Sequence, residues 1–572
     1  MPFSSDSGKQ LIDRAILRIN HQISKLFYSE HRVLDFGAGS GTYSDRYAKS
    51  HLPRPKFHWE GIEIWEPYVA EFGLLEKYDK LHVAHGQILL TGWRAPNWLS
   101  PCPAPIFDII FLGDVIEHLP KDGPEGAVKL IKNALGLGRL VIVSVPLGHY
   151  PQDEYNGNPY EAHLKDDWTH EEFMECVGEH VVSWGREAEI GIYFLSSTPF
   201  VKELLHDVLK PQIAVYGICK NESKFIKRCY ESIQEADFIV FCDTGSSDET
   251  FTQLVRFVEE RTESHGHERD LQFHYDHSGH LRGASTNTMR VVKLHVDPWR
   301  FDDARNAALC LVPEDIDMCV SIDADELMDT PNWRELLIEE IEKDLQEIGR
   351  PRDRYHHRFE SIWDWHGAGT QISSHWHERI HNRHGYQWKL PVHEVLVKIN
   401  RQAEIIKWLG GIKMVQKPDP LKDRSTYLPL LEQALREDST RWKLYSFYAA
   451  DLLKVGRFDD ALRAYEKALE CPNADRGFLH AQVAGAFQTA GALNDAAQHM
   501  VRAIAESPAS REYKTYAARI YKQAGMLAEA RSYVMQAEQI THRPSSYHYD
   551  PSCWGEAFEQ LKQEVNDSTQ KS

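Results

Sequence analysis

The chain has 572 residues, too many for one hydrophobic core, so about three domains or more are expected. A composition of 42% hydrophobic and 26% charged residues is that of a folded globular protein and excludes long disorder. A formal net charge of −20 argues against nucleic acid as a partner bound through its phosphates and leaves only a local basic cleft for such a role. No window approaches the ~18 apolar residues of a membrane span, and the start, MPFSSDSGKQLIDRAIL, lacks a signal-peptide core. The nine cysteines form no C-x-x-C pair, and several stand in apolar segments (Cys219, Cys242, Cys310, Cys319). That pattern predicts buried free thiols in a reducing cytoplasm and argues against structural zinc.

Residues 1–200 alternate apolar runs with helical stretches. RVLDFGAG, FHWEGIEI, FDIIFLGD and RLVIVSVP read as buried parallel strands, an α/β doubly wound signature. VLDFGAGSGTYS places Asp35, Gly37, Gly39 and Gly41 directly after a strand, where glycines allow a tight turn and close approach of a ligand to the backbone. The dinucleotide fingerprint needs a small residue three positions after Gly39, and Thr42 stands there. The spacing D-x-G-x-G-x-G instead resembles motif I of class I S-adenosylmethionine-dependent methyltransferases. The resemblance covers about residues 30–185. It implies a Rossmann-like fold, S-adenosylmethionine as cofactor, and Asp35, Gly37, Gly39, Gly41, Glu63, Gln87 and Asp114 as cofactor-binding residues. Glu63, ending the second strand, would accept hydrogen bonds from the ribose hydroxyls. Gln87 stands where many relatives carry an acid. FDIIFLGDVIEHLP, with Asp114, Glu117 and His118, resembles the fourth strand and its loop. His118 and His163 are candidate bases for the methyl acceptor, each weighed against a structural, hydrogen-bonded histidine.

A short connection near SSTPFVKELLHDVLKPQ leads to residues 211–415, where strand–helix alternation restarts. The stretch 261–300 holds His265, His267, His274, His277 and His280 and reads as a solvated loop with short strands, with metal binding the lesser alternative. The apolar run MCVSI ends in Asp323, Asp325 and Glu326. Residues two apart on an extended segment face the same way, so Asp323 and Asp325 at a strand end suit a hard divalent cation that would also hold a diphosphate. Asp315 and Asp317 precede the strand and belong to a turn. VYGICKNESKFIKRCYESI, FCDTGSSDET, WRFDDARNAAL and RIHNRHGYQWKLPVHEVL together resemble family 2 glycosyltransferases with a GT-A fold. That resemblance implies a nucleotide-sugar donor bound by Tyr216, Glu222, Asp243, Asp248, Arg305 and Asp323. It also implies a metal (Mn2+ or Mg2+) on Asp323, Asp325 and His393, and a catalytic base at Glu394, then Asp364, then Glu326. Arg305 is weighed against pairing with Asp302 or Asp303, and Glu222 against capping the next helix. Trp363, Trp365, Trp376 and Trp388 are candidate sugar-stacking rings, with core packing the alternative for at least half.

Residues 424–545 are helical and repetitive. Gly456, Gly491 and Gly525 recur at a period of about 34, with alanines in register at 461, 496, 530 and at 468, 503, 537, a pattern that resembles tetratricopeptide repeats. The glycine is expected to end the first helix of each pair. YLPLLEQALRED is a candidate cap, and residues 546–572 read as a tail. The repeats either steady the neighbouring domain or bind a protein partner. Taken together, the chain reads as a bifunctional transferase acting in glycan synthesis. It would move a sugar from a nucleotide diphosphate and a methyl group from S-adenosylmethionine to a glycan, protein or small-molecule acceptor. The alternatives are a repeat scaffold with one non-catalytic head, or a protein or nucleobase glycosyltransferase.

Overall fold

The computed structural model describes residues 9–23, 30–48, 56–93, 106–264, 271–364, 370–400, 403–419, 426–542 and 550–567. The chain divides into two compact units, the first comprising Met1–Gln212 with Glu314–Ile316 and Ile338–Pro351, the second the remainder. Among the described residues no helix is long and apolar enough to cross a membrane.

The first unit is built on seven strands: β1 (Glu30–Phe36), β2 (Lys56–Glu63), β3 (Lys80–Val83), β4 (Phe107–Gly113), β5 (Gly138–Pro146), β6 (Val181–Glu187) and β7 (Ile190–Leu195). Their order is β3-β2-β1-β4-β5-β7-β6. The first five run parallel, and β7 pairs antiparallel with both β5 and β6. Its helices are α1 (Lys9–Ile23), α2 (Thr42–Ala48), α3 (Pro67–Glu71), α4 (Leu74–Lys77), α5 (Gly86–Gly92), α6 (Ala127–Leu137), α7 (His170–Val177) and α8 (Pro199–Leu209). Two apolar clusters form. One joins Leu34, Ile110, Val141 and Val143 to α6 and α7; the other joins Val33, Ile109, Phe111 and Ile142 to α1 and α8. Adjacent residues of one strand thus feed opposite clusters, so the parallel strands read as unbroken apolar runs. The four strands expected from sequence all form, and the sheet reverses its strand order at β1/β4, which opens a crevice at the carboxyl ends.

The second unit opens with β8 (Ile213–Cys219), α9 (Ile226–Ser232), β9 (Phe238–Asp243) and α10 (Thr250–Ser264). It continues through β10 (Gln272–Tyr275), β11 (Leu281–Ser285), β12 (Met289–Lys293), α11 (Phe301–Cys310), β13 (Met318–Ser321) and β14 (Glu326–Met328) to the start of α12 (Trp333–Ile348), whose residues from Ile338 on are counted with the first unit. The strands end with β15 (Arg354–Asp364), β16 (Thr370–Asn382), β17 (Tyr386–Lys389), β18 (Val395–Lys398) and β19 (Ile406–Gln416). A sheet of order β10-β11-β12-β9-β8-β13-β16-β15-β19-β14 results, with β12, β9, β8 and β13 parallel and β16 antiparallel to β13. Cys219, Cys242 and Cys319 are buried free thiols, but Cys310, at the end of α11, is exposed. Of the histidine-rich stretch, His265 and His267 lie outside the described residues; His274 sits on β10.

Eight helices follow: α13 (Tyr427–Glu437), α14 (Trp442–Lys454), α15 (Phe458–Glu470), α16 (Arg476–Thr489), α17 (Leu493–Glu506), α18 (Arg511–Gln523), α19 (Leu527–Glu538) and α20 (Glu556–Asp567). Gly456, Gly491 and Gly525 take φ of 77°, 78° and 77° just past α14, α16 and α18. The amides of Arg457, Ala492 and Met526 reach back to the carbonyls of Leu452, Phe487 and Tyr521 at 2.9, 2.9 and 2.8 Å, closing the same C-terminal motif three times. Ala461, Ala496, Ala530, Ala468, Ala503 and Ala537 are all fully buried. A missing side chain at each lets paired helices close up. The expected tail departs from the reading: α20 buries Phe558, Leu561 and Val565 against Ala518, Ala530, Val534 and Ala537, covering the last pair.

A β-carbon at Gly491 would meet nothing within 4 Å, so Gly491→Ala tests the left-handed backbone alone. It should destabilise the repeats by about 1–2 kcal/mol. Gly485→Ala, equally open but inside α16, should stabilise them by about 0.5–1 kcal/mol. Hydrogen exchange across α16 and α17 reads both signs.

Candidate functional site

The second unit answers the question that Asp323, Asp325 and Glu326 raise about charge. Arg305 donates to Asp323 Oδ1 at 2.6 Å and Arg379 to Asp323 Oδ2 at 3.0 Å. Arg305 also donates from Nε to Glu394 and from Nη1 to Ser321 Oγ at 3.3 Å, with its guanidinium 5.0 Å from the Trp388 ring centroid. Burial would raise the Asp323 carboxyl, but the two arginines hold it far below the usual range. The alternative pairing of Arg305 with Asp302 does not form, since Asp302 accepts from Arg300. Burial pushes Glu326, which accepts from the Asp323 amide at 2.9 Å, up to about 8.

The expected metal set is not brought together. Among the described residues, Asp323, Asp325 and His393 do not form a group whose ligand atoms lie within 4.8 Å of one another. Both oxygens of Asp323 serve arginines, and Asp325 accepts from Gln416 Nε2 at 3.3 and 3.4 Å. His393, at φ 50°, stacks on Phe447 of α14 with centroids 3.8 Å apart. Glu394, the first-choice base, is tied to Arg305 by an ion pair. Tyr216 is fully buried; it accepts from Trp388 Nε1 at 2.8 Å and meets His381 Nε2 at 2.9 Å, so neither it nor Trp388 offers a ligand surface. Trp376 lies under Arg358, 4.2 Å from centroid to guanidinium. Glu222 is buried, with its amide on Thr250 Oγ1 and its carbonyl accepting from Ile226 at the start of α9. Asp243 accepts from the Ser246 amide at 3.2 and 3.3 Å. Asp248 accepts from Ser223 and Thr250; these bonds overcome burial and hold its carboxyl at about 2. The Asp364 and Trp363 side chains and all of Trp365 lie outside the described residues.

In the first unit the crevice is a cavity of about 300 Å3. Gly37 and Gly39 line it at φ 76° and 50°, with the Gly37 and Ala38 amides both on the Ile62 carbonyl at 2.9 Å. A β-carbon on Gly37 would stand 2.7 Å from Val115 Cγ2, so the turn needs glycine for space as well as for φ. Glu63 lines the same cavity and accepts from the Gly39 amide at 2.7 Å on one oxygen and the Trp65 amide at 2.8 Å on the other. Burial pushes its carboxyl upward against these two bonds. Across the reversal, Asp114 (φ 54°) accepts from Ser144 Oγ at 2.9 Å. Glu117 is 2% exposed, and burial together with Asp114 drives its carboxyl well above the usual range. His118 and His163 meet edge to face at 4.8 Å, and burial lowers the His118 imidazole.

Residues 9–190 match the family model described as a methyltransferase domain. No curated protein sequence matches the chain. Among solved structures, the chain is 19% identical to MamA over 20% of its own length and 66% of that chain, with a TM-score of 0.18. It is 19% identical to YrrB, titled a TPR protein with an unusual peptide-binding site, over 20% of its length and 60% of that chain, with a TM-score of 0.19. For the first TPR of Spaghetti (RPAP3), 14% identity covers 23% of this chain and 96% of that one, with a TM-score of 0.20. The chain therefore spans slightly under two thirds of the length of MamA and YrrB.

Within the region that matches the family model the cavity gathers Gly37, Gly39, Glu63, Asp114 and His118 from the expected set. Asp35 and Gly41 stand behind it. Asp35 is 1% exposed and accepts from Tyr78 Oη at 2.5 Å, while a β-carbon on Gly41 would strike Lys77 Cδ at 2.6 Å. Neither lines the cavity. Gln87 opens α5, but its side chain lies outside the described residues. Sequence reasoning missed Tyr68, Tyr150, Gln152, Asn158, Tyr160 and Glu161, which also line it. All but Tyr68 fall in the irregular run after β5, where HYPQDEYNGNPYEAH, dense in aromatic and amide side chains without periodicity, was the available signal.

Burial raises the Asp35 carboxyl from 3.8 to about 7, against the Tyr78 hydrogen bond. The native state then binds one more proton than the unfolded chain between those values, so stability falls as pH rises through that window. Asp35→Asn mimics the neutral form. Its melting temperature should match the wild type at the acid end and exceed it increasingly towards the neutral end; parallel curves would refute the assignment.

Proposed function

We propose that the first unit transfers a methyl group from S-adenosylmethionine to an acceptor bound in the same cavity. The observation that carries this reading is the meeting of the Gly37–Gly39 turn, after β1, with the Glu63 carboxylate at the end of β2, beside the point where the strand order reverses. Backbone amides from Gly39 and Trp65 fix the orientation of that carboxylate, and each oxygen keeps a lone pair for a ribose hydroxyl. Methyl transfer from a sulfonium asks mainly for alignment of a nucleophile, and the protein's part is to hold donor and acceptor in one water-poor space. Gly37, Gly39, Glu63 and Asp114 hold the donor; Glu117, His118 and His163 face the acceptor. The helical repeats, on this reading, offer a protein partner a surface. S-Adenosylhomocysteine at ~100 times its Kd should stabilise the first unit by ~2.7 kcal/mol in thermal melting. Glu63→Ala should weaken its binding by ~10- to 100-fold. A wild-type chain that binds neither S-adenosylmethionine nor its product would end the proposal.

A second reading gives the second unit glycosyl transfer from a nucleotide-diphosphate sugar. One arrangement favours it: Asp243, Asp323 and Asp325 stand at or just past the carboxyl ends of the parallel strands β9 and β13, which flank β8 on either side. Asp323 is already neutralised by arginines, so the reaction would run without a cation on the Asp323–Asp325–His393 set. Donor hydrolysis across a panel of nucleotide sugars should therefore be insensitive to chelator. Hydrolysis that depends on Mn2+ would restore the metal set, and no hydrolysis of any donor would remove the reading.

A further inference from the structure

The cavity holds a feature that methyl-donor binding does not use. Glu117, His118 and His163 line it, and one ligand-type atom from each lies within 4.8 Å of the other two. No other trio of His, Cys, Asp or Glu among the described residues meets that spacing. Glu117 is 2% exposed, and its Oε2 has no hydrogen-bond partner among the described residues. A buried carboxylate oxygen left in this way costs about 1–3 kcal/mol unless something else supplies the positive end.

The histidines are oriented for the same task. His118 Nδ1 contacts the Ala162 carbonyl at 3.3 Å, and His163 Nδ1 contacts the Tyr150 carbonyl at 2.6 Å. A carbonyl only accepts, so both imidazoles carry their proton on Nδ1 and their lone pair on Nε2. Metal-bound imidazoles use the same arrangement, the distal N–H fixed by a backbone acceptor. The backbone holds the trio in register: Leu164 and Lys165 both donate to the Glu117 carbonyl, at 2.9 and 3.0 Å, and the His163 amide donates to Gln152 at 2.9 Å. A site split between a short 3-10 turn and a remote loop is thus tied together before any ligand arrives.

We propose that Glu117, His118 and His163 bind one divalent transition cation at the wall of the methyl-donor cavity, and that its open position takes an acceptor hydroxyl. Two imidazoles and one carboxylate suit Zn2+, Fe2+ or Mn2+ better than Mg2+ and leave coordination free for substrate. The role in catalysis rests on the methyl-transfer reading. The acceptor O–H loses its proton to water on binding the cation, which stabilises the oxyanion. The oxygen then attacks the methyl carbon: the O–CH3 bond forms as S–CH3 breaks, and neutral S-adenosylhomocysteine leaves. His118 and His163 act here as ligands and not as bases.

The test uses the full chain, stripped with chelator and titrated with Co2+, Zn2+ and Mn2+, with S-adenosylhomocysteine binding measured on the same samples. One cation per chain is expected at micromolar concentration, weakened more than ~10-fold in Glu117→Gln and in His163→Gln. Both variants should keep their affinity for S-adenosylhomocysteine. Pulsed electron paramagnetic resonance of Mn2+ in the unmodified chain should show directly bound imidazole nitrogen, a readout that needs no variant to fold. No retained cation, unchanged affinity in both variants, or no nitrogen coupling would overturn the site. Loss of S-adenosylhomocysteine binding by the wild type would instead defeat the methyl-donor reading and leave the metal titration to be judged by itself.

Discussion

Carboxylates at the carboxyl ends of covered parallel strands cannot stay both ionised and unpartnered, because burial removes the water that would solvate them. Both units of this chain are organised by that constraint, and they meet it differently. The second unit supplies fixed cations: Arg305 and Arg379 close on Asp323, and Arg305 takes Glu394 as well. In the first unit, among the described residues, no arginine pairs with Asp35, Glu63 or Glu117. Asp35 and Glu117 are driven towards their neutral forms, and Glu63 is held by backbone amides. An ion-paired carboxylate is spent, whereas one that waits on a proton or a pair of amides is available to a ligand. This difference, more than any count of acids, separates the open cavity of the first unit from the closed cluster of the second.

The helical region shows how far a local rule reaches. A left-handed residue past a helix end is a backbone requirement that glycine meets without strain, and it leaves the same mark in each repeat. The alanines work at the next level: each marks a place where two helices approach too closely for a larger side chain. Sequence spacing therefore showed the pairing of α14 with α15, α16 with α17 and α18 with α19. It did not show α20, whose apolar residues Phe558, Leu561 and Val565 lie outside the repeat's register and gain their meaning only from the face they cover.

At the sites, legibility followed the distance over which each residue acts. Gly37, Gly39 and Glu63 act within a strand–turn–helix unit or between adjacent strands, and their places were readable. Asp35 and Gly41 belong to the same motif yet touch Tyr78 and Lys77, because a strand-end pattern does not say which side of the turn the ligand takes. Asp323, Asp325 and His393 failed as a set for a related reason. Their grouping assumed that acids and an imidazole would converge, while Arg379, on a strand far along the chain, was absent from the reasoning. His393 went to a stack with Phe447, a partner from the helical region.

What the sequence alone determined is what short-range physics dictates: buried parallel strands from unbroken apolar runs, tight turns from glycines, and paired helices from a repeated glycine and alanine spacing. Tertiary structure decided which charges meet. It placed two arginines on Asp323, left Glu117 Oε2 without a donor among the described residues, and brought His163 from a remote loop near Glu117 and His118. Electrostatic partners are chosen by distance in space, and the linear spacing of residues carries almost no information about that distance once the chain crosses from one strand to another.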